Sequence, residues 1–218
     1  MQKQLKTIFD HVIIGSYALE DGVNFIHEEL GAETEQGGQH LTMGTHNQLL
    51  NLGNLTYLEV IAIDPSLPTP QRPRWFSMDS VKPTDKPRLL TWVVRTNDIE
   101  QAVRKSPFQH GEIQTLQRGI YEWQIAIPED GKMPLEGIAP MIIQWHSEAH
   151  PAQKLSASNV ELLNIAAFHP RADELNTFLH EIGFTGSFTA NRIESSINKK
   201  LQVTLQTAQK TVVFNSSI

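Results

Sequence analysis

Two polar residues sit where strands would bury them. His11 lies within Phe9-Asp10-His11-Val12-Ile13-Ile14, and Glu59 within Tyr57-Leu58-Glu59-Val60-Ile61. A polar side chain in such apolar company needs a partner or a task, because burying it unsatisfied is unfavourable. Imidazole and carboxylate are both metal ligands and both acid–base groups. The pair could therefore hold a divalent ion, polarise a substrate oxygen or move a proton beside it. Blander roles are a core histidine bonded to a carbonyl and a glutamate facing solvent on an edge strand. Between them run Gly37-Gly38-Gln39-His40 and Met43-Gly44-Thr45-His46-Asn47. His40 and His46 flank a short loop. They could join His11 and Glu59 in a metal site or, the favoured reading, shape the mouth of a cavity. Asn47 can donate to a substrate carbonyl or serve as a turn residue.

These residues need elements to position them. The branched run 8–14 reads as a strand. Leu19 to Leu30 places Val23, Phe25, Ile26 and Leu30 on roughly one helical face, with Gly31 as its stop. Residues 32–39 read as an exposed strand or loop, 46–52 as a strand, and 57–63 as another that ends at Asp64-Pro65. Alternation puts Tyr57, Glu59 and Ile61 on one face and Leu58 and Val60 on the other. Five prolines between 67 and 87 mark a linker or covering loop, with Trp75 and Phe76 pinned to the core or forming a lid. The order then repeats: strand 88–95, helix 98–105 capped by Asp98 or Asn97, hairpin 112–118/121–127 around Gly119, and strand 141–146. A weaker copy begins after Pro151, with strand 160–168, helix 172–182 and strands in 184–194, 200–206 and 210–215. An internal repeat of one strand–helix–three-strand unit is the main organising fact.

Composition narrows the classes. The 218 residues carry a net charge of −6, with 39% hydrophobic and 19% charged residues and no block of like charge, so no basic stripe suits nucleic acid. No cysteine is present, which excludes disulfides, thiolate metal sites and cysteine nucleophiles. No apolar run approaches the roughly 18 residues of a membrane span, and no apolar region follows the basic N-terminal residues. The expectation is a cytoplasmic protein with no membrane or nucleic-acid partner. Trp92, Trp123, Gln144, Trp145 and His146 concentrate in the second repeat; aromatic residues on strands are usually core, but facing a cavity they would make it apolar. His150-Pro151 and His169-Pro170 read as turns without chemistry. No Ser-His-Asp spacing, phosphate loop or dinucleotide fingerprint is present.

Taken together, Asp10-His11-Val12, Gly37-Gly38-Gln39-His40, Met43-Gly44-Thr45-His46-Asn47 and Tyr57-Leu58-Glu59-Val60 resemble the glyoxalase-like domain branch of the vicinal oxygen chelate superfamily, which also holds glyoxalases, bleomycin-resistance proteins and extradiol dioxygenases. The resemblance covers about 8–150. It implies an α+β fold of repeated βαβββ units (8–64 and 88–147, joined by the proline-rich 65–87) whose curled mixed sheet forms a central cup. Residues 1–150 would form the glyoxalase-like domain, and 151–218 a degenerate third unit packed on it. By position, His11 and Glu59 become metal ligands or catalytic groups. The matching second-unit positions fall on Thr91 or Trp92 and on Gln144, which are poor ligands. The implied divalent ion is thus supplied from one unit only, and full glyoxalase-type metal catalysis is expected to be absent.

The resemblance points to a lyase or isomerase acting on a small, partly apolar carbonyl or hydroxy compound. The alternative is a non-catalytic, resistance-type binder. His40, His46, Asn47, Trp92, Trp123 and Gln144 are the expected substrate contacts, with Gln144 on the far wall of the cup. The expected partner is a small-molecule ligand; a homodimer is left open.

Overall fold

The computed structural model describes residues 4–216. The first repeat forms β1 (Thr7–Gly15), α1 (Leu19–Leu30), β2 (Glu35–His40), β3 (Thr45–Gly53) and β4 (Thr56–Ile63). The second forms β5 (Arg88–Thr96), α2 (Ile99–Lys105), β6 (Glu112–Arg118), β7 (Tyr121–Ile127) and β8 (Met141–Trp145). Each pairs its first strand in parallel with its last and then runs antiparallel outward, and β1 joins β5 antiparallel at the centre. The resulting order is β2-β3-β4-β1-β5-β8-β7-β6. The sheet curls until its two edges meet: Arg118 of β6 lies against Gly38 of β2. This is the repeated βαβββ cup that the sequence implies.

The convex face carries the helices and most of the core. Val12, Ile14, Leu58, Val60, Trp92, Val94 and Ile142 pack there with Ile26 and Leu30 of α1. Gly22 lets α1 approach closely, since a Cβ there would lie 2.5 Å from Val60. The C-terminal segment forms β9 (Glu161–Phe168), α3 (Ala172–Glu181), β10 (Phe184–Thr185), β11 (Phe188–Asn191), β12 (Lys200–Gln206) and β13 (Thr211–Asn215). Its four-stranded sheet, β11-β9-β12-β13, joins the same convex core through Ile165, Leu201 and Phe214, and α3 joins it through Phe178. The third copy departs from the repeat: β9 pairs in parallel with β11 rather than with its last strand, and β10 extends the large sheet beside β1.

Two positions correct the sequence reading. Trp92 points away from the cup: its indole stacks on Phe188 at 5.0 Å and donates to the Ile138 carbonyl. Gln144 also leaves the cup, and its side-chain oxygen accepts the Ile99 N–H to help cap α2. Among the described residues, no helix is long and apolar enough to cross a membrane.

The convex side also buries His110 against Phe178; Nε2 meets Ser106 Oγ, while Nδ1 has no partner among the described residues. Burial pulls its imidazole down to about 4. The unfolded chain protonates this group from about pH 6.5 downward, the folded one only below about 4, so acid favours unfolding across that window. His40, also held at about 4, acts in the same direction. The unfolding free energy from urea melts should fall between pH 6.5 and 4, and His110→Phe should make that fall shallower by up to about 3 kcal/mol. An unchanged slope would show that His110 is not held neutral.

Candidate active site

The concave face holds a second cluster that includes Ile13, Ile61, Leu90, Val93, Trp123, Ile125, Met141 and Ile143. Its mouth is filled by the proline-rich connection, whose Trp75, Phe76 and Met78 are buried in the same cluster. Phe76 and Ser77 adopt left-handed backbone at φ 54° and 55°, which disfavours residues with a Cβ and is held here by the burial around them. A cavity of about 30 Å³ is left, the space of one water. His11, His40, Asn47, Tyr57, Glu59, Arg118, Trp123 and Trp145 are among its lining residues.

His11 is clamped between two carboxylates. Its Nδ1 meets Asp10 Oδ1 at 2.6 Å, and its Nε2 lies 3.3 Å from Glu59 Oε2. The Tyr57 ring stacks on the imidazole at 4.4 Å. Neighbouring strand residues ordinarily face opposite ways, but the ladder to β5 slips between Phe9 and His11, leaving Asp10 as a bulge beside its neighbour. Asp10 is fully buried, and its Oδ2 accepts from Arg95 at 3.1 Å, Trp145 Nε1 at 3.0 Å and His150 Nε2 at 3.1 Å. His150 Nδ1 accepts the Ala152 N–H, which fixes its hydrogen on Nε2.

These contacts set the charges. Burial alone would lower the His11 imidazole, but the bonds to Asp10 and Glu59 outweigh it and hold it at about 9. Burial would raise both carboxyls; His11, with His150, holds Asp10 well below the usual range, and His11 chiefly holds Glu59 at about 2. At neutral pH the trio is carboxylate, imidazolium, carboxylate.

Around it runs a polar chain. Asn47 Nδ2 donates to Glu59 Oε1 at 2.6 Å, and its oxygen accepts from the Gly38 N–H and from Arg118 Nη1. The Gly-Gly motif makes this possible: β2 slips register between Gln36 and Gly38, and a Cβ on Gly37 would lie 2.1 Å from Asn47 Oδ1. Arg118 Nη1 also reaches His40 Nε2 at 3.2 Å. Burial keeps His40 neutral at pH 7, so its hydrogen sits on Nδ1 and faces Thr45 Oγ1, which also accepts from Trp75 Nε1. Trp75 is thereby hydrogen-bonded into the same chain as Glu59.

The structure therefore brings His11, Glu59, His40, Asn47 and Trp123 into one cavity and leaves out His46, Trp92 and Gln144. His46 points to the outer face, because alternation along β3 turns its neighbours Thr45 and Asn47 inward. It lies 3.6 Å from Asp64 in a separate groove with Leu19, Ile63 and Pro65. Sequence reasoning missed Asp10, Tyr57, Arg118, Trp145 and His150 as site residues. Asp10, an acid inside an apolar strand, and Tyr57, on the same strand face as Glu59, carried a signal; the others did not. The donors do not fit a tightly held divalent ion. His11 and Glu59 come from one wall and engage each other, and the facing wall is Trp123, Ile125, Ile143 and Trp145. Among the described residues, no group of three or more His, Asp or Glu side chains is arranged to hold a metal.

Comparison with known proteins agrees with the architecture. The sequence matches the family model described as Glyoxalase-like domain over residues 9–183, beyond the span marked by the motifs alone. No curated protein matches it. A hypothetical protein from Staphylococcus aureus superposes with a TM-score of 0.53 at 14% identity, covering 96% of this chain and 84% of its own. Methylmalonyl-CoA epimerase from Mycobacterium tuberculosis gives 0.42 at 16% identity over 63% of this chain and 85% of that one. The hypothetical protein BH1468 from Bacillus halodurans C-125 gives 0.44 at 14% identity, over 68% and 98% respectively.

The clamp can be tested directly. Nitrogen-detected NMR should show His11 doubly protonated at pH 7 and titrating near 9, and Asp10→Asn should lower that midpoint. A group raised from 6.5 to about 9 contributes stability that is complete below about 6.5 and lost as pH rises through about 9. D10N should therefore flatten the alkaline decline and cost roughly 3–5 kcal/mol at pH 7, because it breaks a buried ion pair. A His11 that is neutral at pH 7 in the wild type would refute the assignment.

Proposed function

The chain belongs to the glyoxalase-like domain family, and from that premise we propose that its cup is a metal-independent acid–base site for a small, partly apolar carbonyl or hydroxy compound, working as an isomerase or lyase. The observation that carries this reading is the unequal grip on His11: 2.6 Å to Asp10 but 3.3 Å to Glu59. Asp10 orients the imidazolium, and the looser Glu59 contact is the one that can yield. A carbonyl oxygen entering beside Nε2 takes the His11 N–H, and Glu59 then loses the partner that suppresses its basicity. Glu59 takes a proton from the carbon next to the carbonyl while His11 gives one to the carbonyl oxygen, forming an enol. Reversal returns a proton to the same carbon and exchanges its hydrogen with solvent; with a 2-hydroxy carbonyl the intermediate is an enediol, and protonation of its other carbon by Glu59 moves the carbonyl and isomerises the compound. Asn47 keeps Glu59 aimed, and Trp123 and Trp145 supply an apolar wall. The Trp75–Phe76 plug must move aside, because the cavity it leaves, about 30 Å³, is too small for such a compound.

A second reading, a non-catalytic sequestering protein, is favoured by that closed cup and by the depressed Glu59 carboxyl. Solvent exchange separates the two. In D2O, phenylacetone or phenylpyruvate should lose its methylene proton signal faster than background in the wild type. Glu59→Gln should slow this at least 100-fold, and His11→Asn comparably. Quenching of tryptophan fluorescence by either compound without exchange would leave the binder. Neither quenching nor exchange would reject the cup as the working site.

A further inference from the structure

Resting on the proposed use of the cup, we infer that its ligand carries a carboxylate next to the reacting carbonyl, and that Arg118 is the group that receives it. Formal charges in the site do not close. Asp10 is matched by Arg95 at 3.1 Å, and Glu59 by His11 at 3.3 Å. Arg118 makes no ion pair among the described residues: both of its side-chain hydrogen bonds run from Nη1, to the neutral His40 and to the amide oxygen of Asn47. Its ring contact is Tyr121, at 5.8 Å. The guanidinium is half-buried in the lining of the cup, so it lacks both a counter-charge and full hydration.

The surroundings are built to keep it so. Asn47 stands between Arg118 and Glu59, bonding each with a different side-chain atom, which spaces the carboxylate from the guanidinium. Gly38 clears the path, since a Cβ there would lie 2.9 Å from Arg118 Cδ. With Nη1 used for anchoring, Nε and Nη2 have no hydrogen-bond partner among the described residues, and together they form the parallel pair of donors that suits a carboxylate in bidentate fashion. A carboxylate on Arg118 with its carbonyl toward His11 defines a 2-oxo acid or its 2-hydroxy counterpart. Phe76, which plugs the cup and lines the cavity, marks room for a ring-sized apolar substituent once it withdraws.

The test compares phenylpyruvate with phenylacetone, which has the same benzyl ketone skeleton but a methyl group in place of the carboxylate. Tryptophan quenching should give phenylpyruvate a Kd at least tenfold lower in the wild type, with the advantage shrinking as salt is raised. Arg118→Gln should narrow the difference to within about twofold, whereas Arg118→Lys should keep part of it; circular dichroism of both variants checks the fold, and if R118Q unfolds, R118K and the salt series decide. Equal affinities in the wild type, or a preference that persists in R118Q, would overturn the inference while leaving the cup as a carbonyl site. Binding of neither compound would overturn both.

Discussion

One buried carboxylate organises this molecule. Asp10 has no solvent contact, so its charge must be met by donors from the protein. They come from four places: His11 on β1 itself, Arg95 on β5, Trp145 at the end of β8, and His150 in the segment leading to the third unit. The two halves of the sheet and the start of the C-terminal region thus converge on one side chain. Removing any donor leaves the others around an underpaired charge, so the ring of contacts is cooperative. The same carboxylate holds His11 protonated and bonded through Nδ1, so one interaction both ties the fold together and sets the charge of the cup.

The overall architecture was legible because periodicity is a local signal. Each strand of the two repeats has its own branched or alternating run, and the order of those runs repeats. His11 and Glu59 stood out because each is polar in an apolar strand, and alternation along β4 put Tyr57 and Glu59 on the cup side as observed. The errors arise where alternation alone cannot reach. Trp92 pairs in register with Val12 and shares its convex face, a cross-strand partnership that the apolar run of its own strand does not reveal. Gln144 is claimed by an unpaired N–H at the start of α2, a tertiary need with no trace in its own strand. His46 lost its place to its neighbours, since a strand that turns Thr45 and Asn47 inward must turn it outward. Arg118 ends an exposed-looking hairpin strand and enters the site only because the sheet curls until β6 meets β2.

The covering segment shows how the cup is kept shut. Its prolines leave room only for a short, kinked 3-10 turn at Trp75–Ser80, yet Trp75, Phe76 and Met78 are buried there. Two consecutive left-handed residues cost of order 1–3 kcal/mol each and persist because aromatic burial and the Trp75–Thr45 bond outweigh them.

The asymmetry of the two repeats then acquires a physical reason. A symmetric cup with ligands from both units suits an ion at its centre, where charge is met equally from each side. Here all the titratable carboxylates of the cup lie on the first unit's wall, and the second unit answers with indoles, branched chains and one guanidinium at the rim. Such a cavity has a polar pole and an apolar pole, and a molecule bound across it is oriented by that difference alone. The imidazolium compensates Glu59 internally, so the pair can be buried without an ion, and a ligand need only compete for the longer of two hydrogen-bonding distances. The wall without ionisable ligands is thus the apolar one, and the wall that carries His11 and Glu59 balances its charge within itself.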